Sequence, residues 1–317
     1  MAYQQVQKVR VGEEDAGQRL DNFLMRRLRK APRALIYRIV RKGEVRVNGR
    51  RAKVSDRLQV GDEVRIPPTR LPEAEGKPVF RDDAVARFEA LVLYEDADIL
   101  VLNKPPGMAV HGGSGLSWGV IELARAARPH ARRLELVHRL DRDTSGVLLL
   151  AKKASVLKAL HEQVRGQGMT KLYRALVAGQ WPAQRRKVAL PLRKNTLKSG
   201  ERMVVVADDG KPSLSYFRLV QGCERASDVE VSLKTGRTHQ IRVHAQASGH
   251  PLLGDEKYGD RAANQMARRC GLKRLALHAW RLGFIHPATE QRMEVEAPLP
   301  DLFPQTLTCL CRKDHND

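Results

Sequence analysis

Apolar positions in residues 15–68 follow helical and then strand spacing, which predicts a small mixed unit. Apolar side chains recur at helical spacing over residues 20–28 and again over residues 32–43. In the second helix a proline suits the first turn and a glycine suits the C-terminal cap. Asn48 and Gly49 then form a strong hairpin-turn signal between two short strands. The pattern predicts two helices beside a hairpin.

A linker and a larger unit follow. Residues 69–87 are polar, proline-rich and aperiodic, which is typical of a linker. Residues 88–303 mix strands with separate helices, which predicts an α+β fold with a largely antiparallel mixed sheet. Residues 304–317 are predicted to be a loose, polar tail. The predicted strands are 90–94, 99–102, 145–151, 172–178, 187–192, 202–206, 214–220 and 227–233, and the predicted helices are 118–127, 154–166, 239–248 and 260–270.

The charge of the chain indicates a polyanionic partner. The 317 residues include 57 Lys and Arg but 36 Asp and Glu, a formal net charge of +21. Residues 1–70 carry 18 of these cations and 8 of the acidic residues, so they hold nearly half of the excess. Nucleic acid is the usual partner of such a chain, and a basic but solvated surface is the alternative.

Several function classes find no support in the sequence. No apolar run approaches the ~20 residues of a membrane span, and the N-terminus lacks the apolar core of a signal peptide, so a cytoplasmic protein is expected. His239 and His244 are five residues apart, which does not match the metal spacing of a helix, so no metal is expected. The four cysteines lack paired spacing and are predicted to be free, partly buried thiols. They are Cys223, Cys270, Cys309 and Cys311.

The densest cluster of reactive side chains is HRLDRDTSG at residues 138–146, which runs directly into an apolar strand. A carboxylate at the start of a buried strand, with cations beside it, is more typical of a catalytic site than of a solvated loop. Asp141 is the candidate for that role. Asp143 is the alternative, but its place before Thr and Ser is typical of a turn residue that binds local backbone amides.

Three further segments carry candidate side chains. Lys104 ends a strand at a Pro-Pro-Gly turn and offers a fixed positive charge, although a rigid turn explains it equally well. Alternation places Tyr173 and Lys171 on one strand face, where a tyrosine suits base stacking; a core position is the commoner case. Arg237 and Arg242 lie in a strand-to-helix segment, and an arginine beside a carboxylate would keep it ionised by depressing its pKa.

Two resemblances cover most of the chain. Residues 15–68 resemble the S4 RNA-binding domain, a small α/β unit. The larger unit resembles the RluA family of pseudouridine synthases over about residues 90–290, and four ordered matches are far more specific than any one alone. The four motifs are KPPG at 104–107, HRLDRDTSG at 138–146, KLY at 171–173 and TGRTHQIR at 235–242.

The resemblance implies isomerisation of uridine to pseudouridine in 23S ribosomal RNA, with the base flipped out of its stack and no cofactor. Asp141 would be the catalytic carboxylate, Arg242 its ion-pair partner and Tyr173 the stacking residue. Whether Asp141 adds to the sugar, adds to the base or abstracts a ribose proton stays open. Arg139 would enter the RNA where the flipped nucleotide left, and Ile241 would form an apolar wall.

Other contacts follow from the same resemblance. Substrate contacts are expected at His138, Lys104, Lys171 and Arg237. Contacts of the S4-like unit to RNA phosphates are expected at Arg33, Arg38, Arg41, Lys42, Arg46, Arg50 and Arg51. No assembly surface is evident in the sequence, so a monomer is expected.

Two other functions fit parts of the sequence. A ribosome-assembly protein would use the basic small unit, but mere binding has no need for a carboxylate where phosphates approach. A metal-dependent nuclease would need a carboxylate cluster for two cations, which the motifs do not supply. An RNA-modifying isomerase accounts for all four motifs.

Overall fold

A computed structural model of the chain describes residues 5–28, 31–69, 82–112, 118–131, 133–183, 187–196 and 202–312. The chain divides into two compact units, Met1–Val79 and Phe80–Asp317. Each is described by itself. Most of the predicted linker lies outside the described residues, but its last residues belong to a helix of the second unit, Asp82–Glu89.

The smaller unit has the predicted order of helix, helix and hairpin. An antiparallel sheet of order β1-β4-β2-β3 accompanies the two helices, whose apolar faces meet the buried side chains of the sheet. A strand at the N-terminus was not predicted. The elements are β1 (Gln7–Arg10), α1 (Leu20–Arg27), α2 (Arg33–Arg41), β2 (Arg46–Val47), β3 (Arg50–Arg51) and β4 (Glu63–Ile66).

Three residues with positive φ shape this unit. Gly43 has a φ of +73° just after α2, which confirms the predicted glycine cap. Asn48 and Gly49 have φ values of +50° and +75°, as a two-residue type I′ hairpin turn requires, and β2 pairs with β3 on either side. The turn chemistry therefore sets the register of the hairpin.

The larger unit is built on one twisted sheet of ten strands. The strand order is β10-β13-β14-β9-β15-β8-β6-β5, with β16 added beside β15 and β7 beside β8. Among the described pairings in this sheet, β15 with β8 is parallel and the rest are antiparallel. The mixed, largely antiparallel α+β fold is confirmed.

Each predicted element of this unit has a counterpart close to it, but five further elements were not predicted: strands 135–136, 277–285 and 292–296 and helices 82–89 and 302–311. The strands are β5 (Val92–Glu95), β6 (Ile99–Lys104), β7 (Glu135–Leu136), β8 (Ser145–Ala151), β9 (Thr170–Ala178), β10 (Lys187–Ala189), β11 (Leu192–Thr196), β12 (Arg202–Val206), β13 (Leu214–Gly222), β14 (Ala226–Leu233), β15 (Leu277–Ile285) and β16 (Arg292–Glu296). The helices are α3 (Asp82–Glu89), α4 (Val120–Ala127), α5 (Ala154–Arg165), α6 (Gln240–Ala247), α7 (Arg261–Arg269) and α8 (Leu302–Cys311). The predicted strand over 187–192 is split, because β11 leaves the main sheet to pair with β12.

Strand β8 separates two apolar clusters. All seven of its residues are buried, and alternate side chains enter opposite clusters. Leu148 and Leu150 face the cluster that includes α4 and α6, whereas Val147 and Leu149 face the cluster that includes α5. This two-sided burial explains the unbroken apolar run in the sequence.

Gly146 is required where β8 lies beside β15. Its φ is +109°, and a Cβ atom there would lie 2.1 Å from the carbonyl oxygen of Ala279. We expect Gly146→Ala to lower the free energy of unfolding by at least about 2 kcal/mol, from backbone strain and overpacking. Gly107→Ala is the matched control, since Gly107 has a φ of +81° but open space around it. Denaturant unfolding measures both, and equal losses would contradict this account.

Two predictions about the C-terminal region are wrong. The expected loose tail is largely a helix, α8, whose Phe303, Leu307 and Leu310 side chains are buried. The cysteines expected to be free form two disulfides, Cys223–Cys311 and Cys270–Cys309. Both tie α8 to the rest of the unit. Cysteine spacing could not reveal these pairs, because they join positions 88 and 39 residues apart in sequence.

No helix in the described part of the chain is long and apolar enough to cross a membrane.

Candidate active site

Asp141 lies in the short loop between β7 and β8. The amide of Thr144 donates to the backbone carbonyl of Asp141 at 3.2 Å, which closes a turn at the entrance to β8. Lys104 holds the same loop, because its Nζ donates to the carbonyls of Pro105, Met108 and Arg142 at 2.8, 2.8 and 2.9 Å. The motif residues therefore fix the backbone that carries the carboxylate.

Lys104 does not have the position expected of a substrate contact. It is fully buried, and burial lowers its pKa to about 7. Its Nζ is surrounded by these three carbonyl oxygens. Lys104 therefore positions the loop, and the expectation that its charge meets the RNA is wrong.

A cavity of about 100 Å³ opens beside Asp141. Its apolar walls include Leu140, Leu233, Ile241 and Leu277. The motifs HRLDRDTSG at 138–146 and TGRTHQIR at 235–242 meet here, although they are about a hundred residues apart in the sequence. Six of the expected site residues line it: Arg139, Asp141, Tyr173, Arg237, Ile241 and Arg242.

Arg242 is shared between two carboxylates. Its side chain, on α6, is buried, and one guanidinium nitrogen lies 3.8 Å from Asp141 Oδ2. Its shorter contacts go to Asp255, at 2.6 Å from Nε and 2.7 Å from the other terminal nitrogen. Arg242 does face Asp141, but Asp255 is its principal partner.

Asp255 was missed in the sequence. It is 1 % exposed, and its Oδ1 also accepts the amides of Lys257 and Tyr258 at 2.9 and 3.0 Å. The sequence did offer a signal: in PLLGD at residues 251–255, the Asp directly follows an apolar run and a glycine. The guanidinium also lies over the Tyr258 ring, 4.9 Å from its centroid, so one turn holds Arg242 in two ways.

His239 is the second side chain that faces Asp141. Its Nε2 lies 3.8 Å from Asp141 Oδ2, and its backbone has a φ of +54° immediately before α6. Its Nδ1 lies 2.8 Å from the Tyr258 hydroxyl, which also accepts the amide of Val204 at 2.8 Å. With the Val204 amide as a donor to its oxygen, the hydroxyl can donate its own proton to Nδ1, an arrangement in which the His239 proton is on Nε2, toward Asp141. Burial lowers the pKa of His239 and favours this neutral form.

Tyr173 lies in the apolar core and also borders the cavity, and its stacking on a base stays a prediction. It is 9 % exposed on β9, packs with the main apolar cluster and also lines the cavity. Burial raises the pKa of its hydroxyl, and the nearby Asp141 charge raises it further. The tyrosine is therefore neutral and presents a ring to the cavity.

Two expected substrate contacts lie away from the cavity lining. His138 accepts the amide of Leu149 at Nε2 with a distance of 3.1 Å, and burial lowers its pKa to about 4, so it is a neutral structural acceptor. Lys171 is half-buried on β9, and burial lowers its pKa. The structure supports neither as a direct contact.

The remaining expected contacts are exposed. Arg139 lies at the cavity, and Arg237 donates from Nε to the carbonyl of Pro212 at 3.2 Å. In the smaller unit all seven expected cations are exposed. Three of them, Arg38, Arg41 and Arg51, line one groove.

A group of possible metal ligands lies elsewhere. In the described part of the chain, Asp96, Asp98 and His286 bring donor atoms within 4.8 Å of one another. Ion pairs account for them, because His286 Nε2 lies 3.0 Å from Asp96 and Lys153 lies 2.7 Å from Asp98. None of the three lines the cavity.

Comparisons with known proteins agree with both resemblances. Residues 98–247 match the family described as RNA pseudouridylate synthase, and residues 18–64 match the S4 domain. The chain is 54% identical to the ribosomal large subunit pseudouridine synthase C of Salmonella typhimurium over 308 residues, which cover 96% of this chain and 97% of that protein. The protein of the same name from Escherichia coli K12 is 54% identical over 299 residues, covering 93% and 94%.

A solved structure has the same fold. Human RNA pseudouridylate synthase domain containing 4 superposes with a TM-score of 0.58 at 26% identity, covering 72% of this chain and 97% of that one. The predicted fold, family and S4-like unit are confirmed.

Proposed function

Because the chain belongs to the RNA pseudouridylate synthase family, in its RluA-type branch, we propose that it isomerises uridines of 23S ribosomal RNA to pseudouridine. The single observation that carries the proposal is Asp141 at an apolar-walled cavity, faced at 3.8 Å by Arg242 and by His239. The names of the relatives supply the RNA. The alternative of a purely structural RNA-binding protein does not account for this carboxylate.

The reaction needs no external reagent. The bond from N1 of uracil to C1′ of the ribose breaks, the base turns, and C5 bonds to C1′. The hydrogen of C5 leaves to solvent and N1 gains a proton, so atoms and charge balance. Asp141 acts on the sugar or the base during this exchange. The cavity walls keep the detached uracil beside its ribose, which favours recombination over escape.

The other side chains have supporting roles in this proposal. Arg242 orients the Asp141 carboxylate, since one guanidinium nitrogen lies 3.8 Å from its Oδ2. Tyr173 stacks on the target base at the cavity wall. Arg139, exposed at the cavity, fills the space left in the RNA by the flipped nucleotide.

The smaller unit supplies RNA affinity in the same proposal. The groove with Arg38, Arg41 and Arg51 binds phosphates of structured RNA. We also propose that the protein works in the cytoplasm, with its ribosomal substrate. Disulfides are typical of oxidising compartments, so this placement rests on the substrate alone. The monomer expected from the sequence stays a prediction.

Tritium release tests the proposed reaction directly. Large-subunit rRNA transcribed with uridine tritiated at C5 loses one tritium to water for each uridine isomerised. Purified protein is expected to release tritium in the presence of a chelator and to leave the RNA chain intact. Cleaved RNA, or intact RNA with no tritium release, would contradict the proposal.

Tyr258 is expected to act through His239. Tyr258→Phe removes the donor to Nδ1, so the Nε2–H tautomer is no longer fixed and turnover is expected to fall about tenfold, as for other supporting groups. Long-range ¹H–¹⁵N NMR of the imidazoles reads the tautomer, and single-turnover assays read the rate. Tyr94→Phe is the control, because its hydroxyl contacts Asp96 away from the cavity. A His239 proton on Nδ1 in the unsubstituted protein would refute this role.

A further inference from the structure

A second cleft adjoins the catalytic cavity. It has a volume of about 470 Å³ and lies between the β11–β12 hairpin and the turn that leads to α6. It shares Gly236, Arg237 and Thr238 with the cavity, so the two have one wall in common. The cavity and the cleft are therefore direct neighbours.

The hairpin that forms the cleft is anchored to the active site. Leu192 and Val204 are buried against Val243 and Tyr258. The Val204 amide donates to the same Tyr258 hydroxyl that binds His239. The floor of the cleft is thus fixed relative to Asp141.

Three of the four cations that line the cleft have no acidic partner in the described part of the chain. Lys194, Lys211 and Arg237 line it and are exposed, and none forms an ion pair with a carboxylate within the described ranges. Arg193 at the same hairpin is bonded to Asp209, which accounts for the acidic residue of the lining. On the ten-stranded sheet, by contrast, three strand arginines are paired with carboxylates. Those pairs are Arg174–Asp228, Arg218–Glu230 and Arg281–Glu296.

We propose that this cleft binds the ribose–phosphate backbone of the RNA immediately to one side of the flipped uridine. Exposed cations without carboxylate partners, in a cleft beside a cavity that can hold a base, match the chemistry of a phosphodiester chain. The shared wall at Gly236–Thr238 allows a nucleotide in the cavity and its neighbour in the cleft to be covalently linked. The inference rests on the proposed function, because it takes the cavity occupant to be a nucleotide of RNA.

Salt-dependent binding tests the cleft. RNA fragments containing a target uridine are titrated with full-length protein carrying Asp141→Asn, so that the RNA stays unmodified. Adding Lys194→Gln or Lys211→Gln is expected to make the negative slope of log K against log salt shallower by about 0.7–0.9. At 0.1 M salt the same slope change corresponds to about five- to eightfold weaker binding.

Lys158→Gln is the matched control. Lys158 is an exposed lysine on α5, on the opposite face of the sheet, so the same charge change there is expected to leave the slope within error of the Asp141→Asn parent. Lys194→Gln and Lys211→Gln slopes equal to the Lys158→Gln slope would overturn the proposal.

Shortened RNAs localise the effect. Removing the nucleotides on one flank of the uridine is expected to abolish the difference between Lys194→Gln and its parent, whereas removing the other flank leaves it. A difference that survives either truncation would refute a cleft beside the flipped nucleotide. These outcomes concern binding alone. If instead the proposed isomerase function were wrong, the unsubstituted protein would release no tritium in the assay described above.

Discussion

Asp141→Asn is expected to abolish isomerisation, lowering the single-turnover rate by at least about 10⁴-fold while RNA still binds. Asparagine keeps the shape of the side chain but has no negative charge and is a poor nucleophile and base. Its neighbours Arg242 and His239 would then face a neutral group. The assay is tritium release under saturating enzyme, with the dissociation constant measured on the same RNA.

Asp143→Asn is the control for that result. Asp143 is two residues away in the same loop, pairs with Arg142 at 3.1 Å and does not line the cavity. Its substitution is expected to change the rate by less than about threefold, since surface ion pairs contribute little. Loss of activity in Asp143→Asn with activity kept in Asp141→Asn would reverse the assignment.

Arg242→Met is expected to remove both activity and stability. The Arg242 guanidinium satisfies the buried Asp255 carboxylate through two short contacts, so its removal leaves an uncompensated buried charge. Breaking such a pair costs about 3–5 kcal/mol of unfolding free energy. Chemical denaturation measures this loss. A fall of less than about 1 kcal/mol would show that Asp255 does not depend on Arg242.

A double variant separates the two roles of Arg242. Arg242→Met with Asp255→Asn removes both charges and keeps an oxygen for the amides of Lys257 and Tyr258, so most of the lost stability is expected to return. Activity is expected to stay low, because Asp141 still lacks its guanidinium. Recovery of turnover in the double variant would mean that Arg242 serves the fold alone.

Local sequence signals predicted much of the fold. The helices of the smaller unit, its glycine cap and its Asn48-Gly49 hairpin follow from side-chain spacing and backbone preference, which act over a few residues. Strand β8, with its apolar run over residues 147–151, was predicted for the same reason. These features need no knowledge of distant contacts.

Features that depend on distant contacts were missed. Strand β15 lies in the middle of the sheet, but its sequence, LHAWRLGFI, interrupts the apolar pattern with His278 and Arg281. His278 is tolerated because Ser145 and the Ala297 carbonyl lie within hydrogen-bond distance of its two ring nitrogens. Helix α8 was missed for a similar reason, because the elements that bury its apolar face are distant in the sequence.

The candidate site, like the fold, was predicted only in part. Ordered motifs predicted that Asp141, Tyr173 and Arg242 share a cavity, and the structure brings them together. The sequence could not show that the side chains of Lys104 and His138 form hydrogen bonds with backbone groups. It also could not show that Asp255 and Tyr258 stand behind Arg242 and His239, because hydrogen-bond partners depend on three-dimensional proximity.

Pseudouridine mapping across large-subunit rRNA is the most direct test of the central claim, that Asp141 in this cavity isomerises ribosomal uridines. RNA from cells lacking this protein is compared with RNA from the same cells supplied with the unsubstituted chain or with Asp141→Asn. The account predicts that specific pseudouridines are absent without the protein, return with the unsubstituted chain and stay absent with Asp141→Asn. An unchanged pseudouridine map in all three strains, or restoration by Asp141→Asn, would contradict it.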